Sequence, residues 1–329
     1  MADTIPLPER VPAQEYMMNL MVDGDEEDDV RLHLASLCGD SIGLKQLLGE
    51  CSSKEWLNYR VRPYMSPPLR LAVSGGNCEC IELLLDAGAE IDLEDVKGQT
   101  PLFVATSCRK VAIMKVLLER GANPDGSRKN RCTPLLIAVR DGFSEGVKLL
   151  LKYGADTEPF DHTTCIPGWP LQHSIVYAHF SCFFELIRGG ALPNLTSLSY
   201  PIKEAVIARL SVPHAILKYA KDFPEFVRLY HEAGGNLCQI NTSGVPPLEA
   251  NFESSPAKDA LESLTGVPLS LKSLCRLCVR HQLSKEMLHS IPCLEVPSSL
   301  IPFLNFEEFY AYTIRTKENT HEKIIEKEV

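Results

Sequence analysis

The chain lacks the apolar segments that membrane insertion and secretion require. Its 329 residues contain no uninterrupted run of about eighteen apolar residues, so the sequence predicts no transmembrane helix. No basic stretch followed by an apolar core stands at the N-terminus, so no secretory signal is predicted either. We therefore expect a protein of the cytoplasm, with the nucleus left open as a second location.

The chain also lacks an excess of positive charge. Lys and Arg total 33 against 43 Asp and Glu, which gives a formal net charge of -10. Because phosphate binding needs clustered basic side chains, this balance argues against a nucleic-acid partner. The 12 cysteines are scattered through the predicted helices and form no short paired framework. We expect free thiols that pack as small apolar side chains.

A recognisable catalytic motif is also missing. No Gly-rich phosphate loop and no Gly-x-Ser-x-Gly elbow occur. A nucleophilic Cys–His pair stays open as an alternative, and its residues would come from His162, Cys165, His173, His179 and Cys182. Packing within the fold is the interpretation that we favour for these side chains. We therefore expect no catalytic residue and no cofactor.

One Cys-x-x-Cys pair invites a zinc interpretation, because zinc takes Cys and His ligands in sets of four. Cys275 and Cys278 could share a helix face, and His281, His289 and Cys293 follow nearby in the sequence. No second close pair completes the ligand set, so we expect no metal site.

The feature that the sequence does possess is an internal repeat. Its opening pairs recur after 33, 33 and 36 residues, and they are Pro68-Leu69, Pro101-Leu102, Pro134-Leu135 and Pro170-Leu171. Its closing pairs keep the same steps, and they are Gly88-Ala89, Gly121-Ala122, Gly154-Ala155 and Gly190-Ala191. An apolar helical stretch lies between each opening and closing pair.

The local chemistry of these units is that of a helix pair. Thr100-Pro101 and Thr133-Pro134 each supply a capping hydroxyl followed by a proline at the first helical position. Asp95 to Gly98 predicts a turn between neighbouring units. In period and in motif the units resemble the ankyrin repeat, which implies an all-α solenoid of stacked helix pairs joined by short hairpin loops.

We count about six repeats over residues 29–240. The first is degenerate and covers residues 31–48. The sixth is irregular, because it begins at Tyr200–Ala205, closes at Gly234-Gly235 and is stretched by an extra helical turn within Ser211–Phe223. An enlarged loop over residues 51–66 is left open between binding and packing, and its aromatic and Arg residues are Trp56, Tyr59, Arg60, Arg62 and Tyr64.

Three segments have the composition of tails and linkers. Residues 1–28 predict a flexible acidic tail. Residues 241–267 are rich in Gly, Pro and Ser and predict a linker, with a short helix at 257–264. Residues 307–329 predict a charged, solvated tail.

Residues 268–306 begin with an amphipathic helix. Its apolar residues recur at helical spacing and form one stripe, and they are Leu271, Leu274, Cys275, Leu277, Cys278 and Val279. Lys272, Arg276 and Arg280 lie mostly off this stripe. The start of this helix resembles the elongin-binding box of SOCS-box proteins. That box has a small residue, then Leu, then Cys four positions later and an aliphatic residue four positions after that, and these places are filled by Ser270, Leu271, Cys275 and Val279.

A second pattern follows the helix. Leu294-Glu295-Val296-Pro297, followed by Leu300 and Phe303-Leu304, resembles the second box of the same proteins. Glu295 stands where that family usually has Pro, which puts the strength of cullin contact in question.

Repeats and boxes together resemble the ankyrin repeat and SOCS box family. The resemblance implies a substrate-recognition adaptor of a ubiquitin ligase containing elongin B, elongin C, cullin-5 and a RING-box protein, with degradation of the ubiquitinated substrate. An apolar stripe is also typical of an ordinary core helix. The alternative is therefore a non-degradative ankyrin scaffold, whose last segment caps the repeats.

The resemblance also assigns roles to residues. Elongin contact falls to Leu271, Leu274, Cys275, Cys278 and Val279. Cullin contact falls to Leu294, Val296, Pro297, Leu300 and Phe303. An unidentified protein substrate would bind turn tips on the concave side of the repeats, where the candidate surface positions are Asp95, Lys97, Arg128, Lys129 and Arg131.

Overall fold

A computed structural model describes residues 30–50, 56–61, 65–130, 132–158, 170–194, 210–241 and 243–313. Regular secondary structure in these ranges is helical, apart from an isolated antiparallel bridge between Val61 and Ser66. The chain divides into two compact units, residues 1–130 and residues 131–329. The tail expected at residues 1–28 lies outside the described ranges.

The described part of the first unit consists of three helix pairs. They are α1 (Arg31–Cys38) with α2 (Ser41–Glu50), α3 (Pro68–Gly75) with α4 (Cys78–Ala87), and α5 (Pro101–Ser107) with α6 (Val111–Glu119). The first helix of each pair packs on the first helix of the next, and the second helices pack on one another in the same order. This is the stacking that ankyrin repeats predict.

The second unit continues with three more described pairs. They are α7 (Pro134–Arg140) with α8 (Ser144–Lys152), α9 (Pro170–Val176) with α10 (Phe180–Arg188), and α11 (Val212–Tyr219) with α12 (Pro224–Glu232). Four helices follow, and they are α13 (Pro256–Leu264), α14 (Leu271–Gln282), α15 (Lys285–Leu288) and α16 (Ile301–Leu304). Short 3-10 turns lie at Ile291–Cys293, Ser298–Leu300 and Glu307–Phe309.

The predicted helix boundaries are confirmed at the capping residues. The Thr100 hydroxyl accepts a hydrogen bond from the Phe103 N–H at 3.3 Å, and the Thr133 hydroxyl accepts one from the Leu136 N–H at 3.1 Å. These bonds satisfy N–H groups that the first helical turn leaves without an intrahelical partner. Gly88 ends α4 with a φ of 98°, a left-handed conformation that glycine adopts without steric cost.

Each unit has its own apolar core. In the first unit, Ala72 and Ala105 are fully buried, because small side chains allow neighbouring helices to approach closely. In the second unit, the Phe226 ring centroid lies 5.2 Å from that of Phe180 and 5.0 Å from that of Phe183. Aromatic pairs at these distances add to the stability gained from burial.

The sixth repeat differs from its predicted boundaries. Its helix pair is α11 with α12, so Ser211–Phe223 holds the first helix of the pair and not an extra turn inserted within it. The Ser211 hydroxyl lies 2.6 Å from His214 Nδ1 at the start of α11, a bond that orders this opening. The predicted opening at Tyr200–Ala205 lies outside the described residues.

The segment predicted as a linker contains a packed helix. α13 lies against α12, with Ala257 and Leu261 at 0% and 1% exposure. The Ala257 N–H also donates to the Lys221 carbonyl at 3.0 Å. The short helix predicted at 257–264 is confirmed, but the composition did not predict that it packs on α12, because its apolar residues are few and widely spaced.

The segment predicted as a solvated tail also begins with packed residues. Phe309 is buried, and the Tyr312 ring lies 6.4 Å from that of Phe180 in α10. The Ser181 hydroxyl donates to the Thr313 carbonyl at 3.1 Å. The expectation of a solvated tail is therefore wrong for residues 307–313, and residues 314–329 lie outside the described ranges.

Candidate functional site

The candidate site is built on α14, whose first turn is capped by its own sequence. The Ser270 hydroxyl accepts a hydrogen bond from the Ser273 N–H at 3.0 Å, which is the role expected of an N-cap serine. The last turn carries Arg280 and His281, where positive charge is favourable to the helix dipole. The local sequence therefore both starts and supports this helix.

The apolar stripe of α14 faces outward. Leu271, Leu274 and Val279 are 78%, 50% and 41% exposed. Cys275 and Cys278 are exposed as well, and both are free thiols. All five residues assigned to elongin contact thus lie on one accessible surface of the helix.

The buried side of α14 is polar and basic. Ser273, Arg276 and Arg280 are 4%, 2% and 8% exposed. The sequence placed these arginines off the apolar stripe and assigned them no role. They are the residues that attach the helix to the rest of the second unit, because charged side chains are buried only where they find partners.

Arg276 packs between aromatic rings and a carboxylate. Its guanidinium carbon lies 4.0 Å from the Phe303 ring centroid and 4.3 Å from that of Phe306. It also pairs with the carboxylate of Glu308 and lies 3.9 Å from that of Glu232. Cation–π contacts and an ion pair together stabilise this buried charge.

Arg280 binds backbone carbonyl groups. It donates to the Leu304 carbonyl at 3.0 Å, the Ile187 carbonyl at 3.0 Å and the Arg188 carbonyl at 2.7 Å. Burial, together with the neighbouring positive charges of Arg188 and Arg276, lowers the pKa of Arg280 to about 10. The side chain is still protonated at neutral pH, so it keeps its donors.

The second box forms a small apolar cluster beside α14. Its buried members are Leu288, Ile291 and Leu304, and Leu294 and Val296 pack half-buried against them. Leu294 and Val296 therefore help to hold the box together.

The other three cullin candidates differ in exposure. Pro297 and Leu300 are exposed, and Leu300 keeps 44% of its surface accessible. Phe303 is half-buried, and its ring centroid lies 4.5 Å from Lys272 Nζ and 4.0 Å from Arg276. Phe303 thus packs within the segment, while Pro297 and Leu300 are left accessible.

Asp95 does not have the exposure expected of a substrate-binding position. It is 3% exposed and accepts hydrogen bonds from the Lys97 and Gln99 N–H groups at 2.8 and 3.0 Å. Its other carboxylate oxygen lies 2.9 Å from Arg70 Nη2. The expectation of a surface position is wrong here, because the carboxylate is used inside the turn that it helps to form.

Three of the remaining substrate-binding candidates are more accessible. Lys97 and Arg128 are exposed. Lys129 is exposed but pairs with the Glu94 carboxylate, which restricts its freedom. Arg131 lies outside the described residues.

The loop after α2 is partly packed. The His33 Nε2 donates to the Tyr59 carbonyl at 2.9 Å, and Asn58 exchanges two hydrogen bonds with Glu90 at 2.9 and 3.1 Å. Trp56 and Tyr59 nevertheless keep 41% and 37% of their surface exposed. The described residues of this loop are therefore packed in part, and the exposed Trp56 and Tyr59 leave the binding interpretation open; Arg62 and Tyr64 lie outside the described residues.

The described residues give no support to the catalytic or metal alternatives. Cys182 is fully buried, and His162 and Cys165 lie outside the described ranges. Within those ranges no group of three or more Cys, His, Asp or Glu side chains is arranged to hold a metal ion. None of the described helices is long and apolar enough to cross a membrane.

Comparison with known proteins decides the family. A family model described as ankyrin repeats matches residues 32–127 and 69–161, and a SOCS box model matches residues 267–305. Mouse ankyrin repeat and SOCS box protein 1 is 41% identical over 302 residues, covering 85% of this chain and 89% of its own. The chain belongs to the ankyrin repeat and SOCS box family.

Other members agree with this assignment. Human ankyrin repeat and SOCS box protein 12 is 38% identical over 301 residues, covering 87% of this chain and 93% of its own. The crystal structure of the human ASB11 ankyrin repeat domain has a TM-score of 0.55 and 25% identity, covering 72% of this chain and 99% of its own. Membership of this family supports a substrate-adaptor role in cullin–RING ubiquitin ligases, and the SOCS box implies binding to elongin B/C and a cullin.

Proposed function

We propose that this chain recruits a protein substrate to a ligase of elongin B, elongin C, cullin-5 and a RING-box protein, and that ubiquitination leads to degradation of the substrate. The ankyrin repeats bind the substrate, and the SOCS box binds elongin C and the cullin. The chain needs no catalytic group for this role. Holding a substrate lysine near a ubiquitin-charged enzyme raises the effective concentration of the lysine at that enzyme.

The outward apolar face of α14 carries this proposal. Leu271 is 78% exposed, which is unfavourable for an isolated chain and favourable for one that meets an apolar partner. Leu271 enters a pocket of elongin C, and Cys275 and Val279 pack beside it. Burial of a leucine contributes roughly 1.5–3 kcal/mol, so this residue contributes substantially to the contact.

Cullin-5 contact falls mainly to Pro297 and Leu300. These two exposed residues lie between Val296 and Ile301, which pack in the apolar cluster of the second box, so the cluster orders the segment that carries them. Glu295 is also exposed and carries a charge where the family usually has proline. A charge at the rim of an interface changes the association rate and its salt dependence more than it changes the dissociation rate.

Co-expression with elongin B and elongin C, followed by size-exclusion chromatography, tests the proposal. The wild-type chain is expected to co-elute in equal amounts with both elongins. A variant with Leu271→Asp and Cys275→Asp is expected to elute alone. Ile240→Asp is a matched control, because Ile240 is an aliphatic residue with 45% exposure outside α14 and should leave co-elution unchanged.

The scaffold alternative has one observation in its favour. α14 packs on the preceding repeats through Ser273 and Arg280, so the SOCS box also caps the last repeat. If the wild-type chain is folded and elutes without elongin, the scaffold function takes the place of the ligase function.

A further inference from the structure

The SOCS box contacts the last turns of two second helices in the second unit and the turn that follows a third. These helices are α8, α10 and α12, one from each of the last three repeats. The C-terminal end of a helix carries partial negative charge and carbonyl groups without intrahelical partners. Such ends are favourable binding places for cationic and hydroxyl donors.

Three side chains of the SOCS box each reach a different repeat. Arg280 donates to the carbonyls of Ile187 and Arg188 in the last turn of α10 at 3.0 and 2.7 Å. The Ser273 hydroxyl donates to the side-chain carboxylate of Glu232, the last residue of α12, at 2.6 Å. We call Ser273, Arg280 and Lys285 the polar anchor.

Lys285 completes the polar anchor at the fourth repeat. Its ammonium group donates to the Thr157 hydroxyl at 2.8 Å and to the Glu158 carboxylate at 2.6 Å. Both residues lie in the turn that follows α8. The other oxygen of Glu158 accepts a hydrogen bond from the Leu192 N–H at 2.9 Å, so the anchored turn is itself tied to the fifth repeat.

Apolar packing does not by itself fix the direction of α14. The buried residues of this helix are Ser273, Arg276 and Arg280, and Leu277 is only half-buried. Apolar contacts are non-directional, whereas hydrogen bonds from a planar guanidinium have a defined geometry. The bonds of the polar anchor therefore supply directional contacts between the SOCS box and the repeats.

We propose that Arg280, assisted by Ser273 and Lys285, is a positioning residue that fixes the orientation of the SOCS box on the last three repeats. This inference rests on the proposed function, because the orientation of the SOCS box determines where on the substrate the ligase delivers ubiquitin. A substrate held by the repeats then presents a restricted set of lysines to the ligase. Elongin binding itself uses the opposite face of α14 and does not require this orientation.

The test compares Arg280→Met and Arg280→Lys with wild type. Methionine keeps length and apolar volume but removes all the donors, and lysine keeps the charge with a single donor group. Arg228→Met is the matched control, because Arg228 is an exposed arginine on α12.

The first readout is hydrogen exchange of the free, full-length chain. Arg280→Met is expected to speed exchange in residues 271–305 by about tenfold or more, since loss of a single charged hydrogen bond has an effect of at least this size. Exchange in helices α7 to α9 should stay unchanged, because they do not contact Arg280. Arg280→Lys should give an intermediate value, and Arg228→Met should match wild type.

The second readout uses the complex reconstituted with elongin B/C, cullin-5 and a RING-box protein. The chain serves as its own acceptor, and mass spectrometry maps the lysines that receive ubiquitin. Arg280→Met is expected to keep elongin affinity within about twofold while the modified lysines become more numerous or change. A role in general stability alone would instead lower elongin binding and leave the lysine pattern unchanged.

The proposal is overturned if Arg280→Met shows wild-type hydrogen exchange and a wild-type lysine pattern. If this variant fails to fold, the double variant Ser273→Ala with Lys285→Met takes its place. This double variant removes the contacts of Ser273 with Glu232 and of Lys285 with Thr157 and Glu158 and leaves the buried guanidinium of Arg280 in place. Unchanged hydrogen exchange in residues 271–305 would overturn the proposal as well. If the wild-type chain does not bind elongin, the proposed function fails while the exchange experiment still judges the role of Arg280.

Discussion

Leu271 and Arg276 lie on opposite faces of one helix, and their burial is the reverse of the usual pattern. The leucine is 78% exposed and the arginine is 2% exposed. Buried basic residues thus attach α14 to the protein, and its apolar residues remain accessible to a partner. This arrangement explains how a segment with few apolar residues can be ordered and still expose an apolar surface for binding.

Truncation of Leu271 should weaken elongin binding without affecting the fold. For Leu271→Ala we expect about a ten- to hundredfold loss of elongin C affinity, measured by titration calorimetry. The free energy of unfolding should change by less than about 0.5 kcal/mol, because the side chain is exposed. Leu261→Ala is the contrasting control, since burial at 1% exposure predicts a loss of about 2–5 kcal/mol of stability.

Arg276 should contribute to the stability of the SOCS box. Arg276→Ala removes the contacts with Phe303, Phe306 and Glu308, and we expect a loss of about 1–3 kcal/mol in urea unfolding. Arg276→Lys keeps the charge but loses planar stacking, so it should recover only part of the loss. An unchanged unfolding midpoint for Arg276→Ala would contradict this assignment.

Cullin binding should be separable from elongin binding. The double variant Pro297→Ala with Leu300→Asp is expected to lose cullin-5 in reconstituted complexes while it still co-elutes with elongin B/C, because both residues are exposed and lie away from α14. Full retention of cullin-5 would show that the contact lies elsewhere. Leu294→Ala should behave differently and lower thermal stability, since Leu294 packs in the apolar cluster of the second box.

Asp95 should act on stability and not on substrate binding. Asp95→Ala leaves the largely buried Arg70 without its carboxylate partner and removes two turn hydrogen bonds, so we expect a loss of about 1–3 kcal/mol in the free energy of unfolding. Lys97→Ala is the control on the same turn and should remain within about 0.5 kcal/mol of wild type. Equal stability of the two variants would contradict the interpretation.

His289 should make stability sensitive to acid. Burial lowers its pKa to about 4, and the positive charges of Arg188, Arg280, Lys148 and Lys152 act in the same direction. The unfolded chain, with a histidine pKa of about 6.5, therefore binds more protons between these values, and stability falls as the pH decreases from about 6.5 towards 4. Urea unfolding at several pH values should show a shallower fall for His289→Gln than for wild type. Parallel curves would exclude this contribution.

Much of the repeat architecture could be predicted from local sequence. The spacing of the Pro-Leu and Gly-Ala pairs indicated the helix pairs, and the Thr100 and Thr133 caps lie where the sequence placed them. These features depend on interactions within a few residues, which a local pattern contains. The extra turn predicted within Ser211–Phe223 of the sixth repeat was wrong, because this repeat departs from the pattern of the others.

The candidate site was predicted only in part. The apolar stripe of α14 indicated the residues of the proposed elongin surface, but an amphipathic pattern does not say which face of a helix packs against its own protein. Arg276 and Arg280 follow helical spacing on the opposite face, and this was the signal that could have indicated a second, basic surface.

The sequence by itself determined the repeat period, the helix caps and the residues of the apolar stripe, because these depend on neighbours along the chain. Only the tertiary structure decided that Arg280 is buried, that α13 and residues 307–313 pack on the repeats, and that Asp95 is internal. The partner of Arg280 at Ile187 is 93 residues away along the chain. Contacts of that separation depend on how the repeats stack, and so no local pattern contains them.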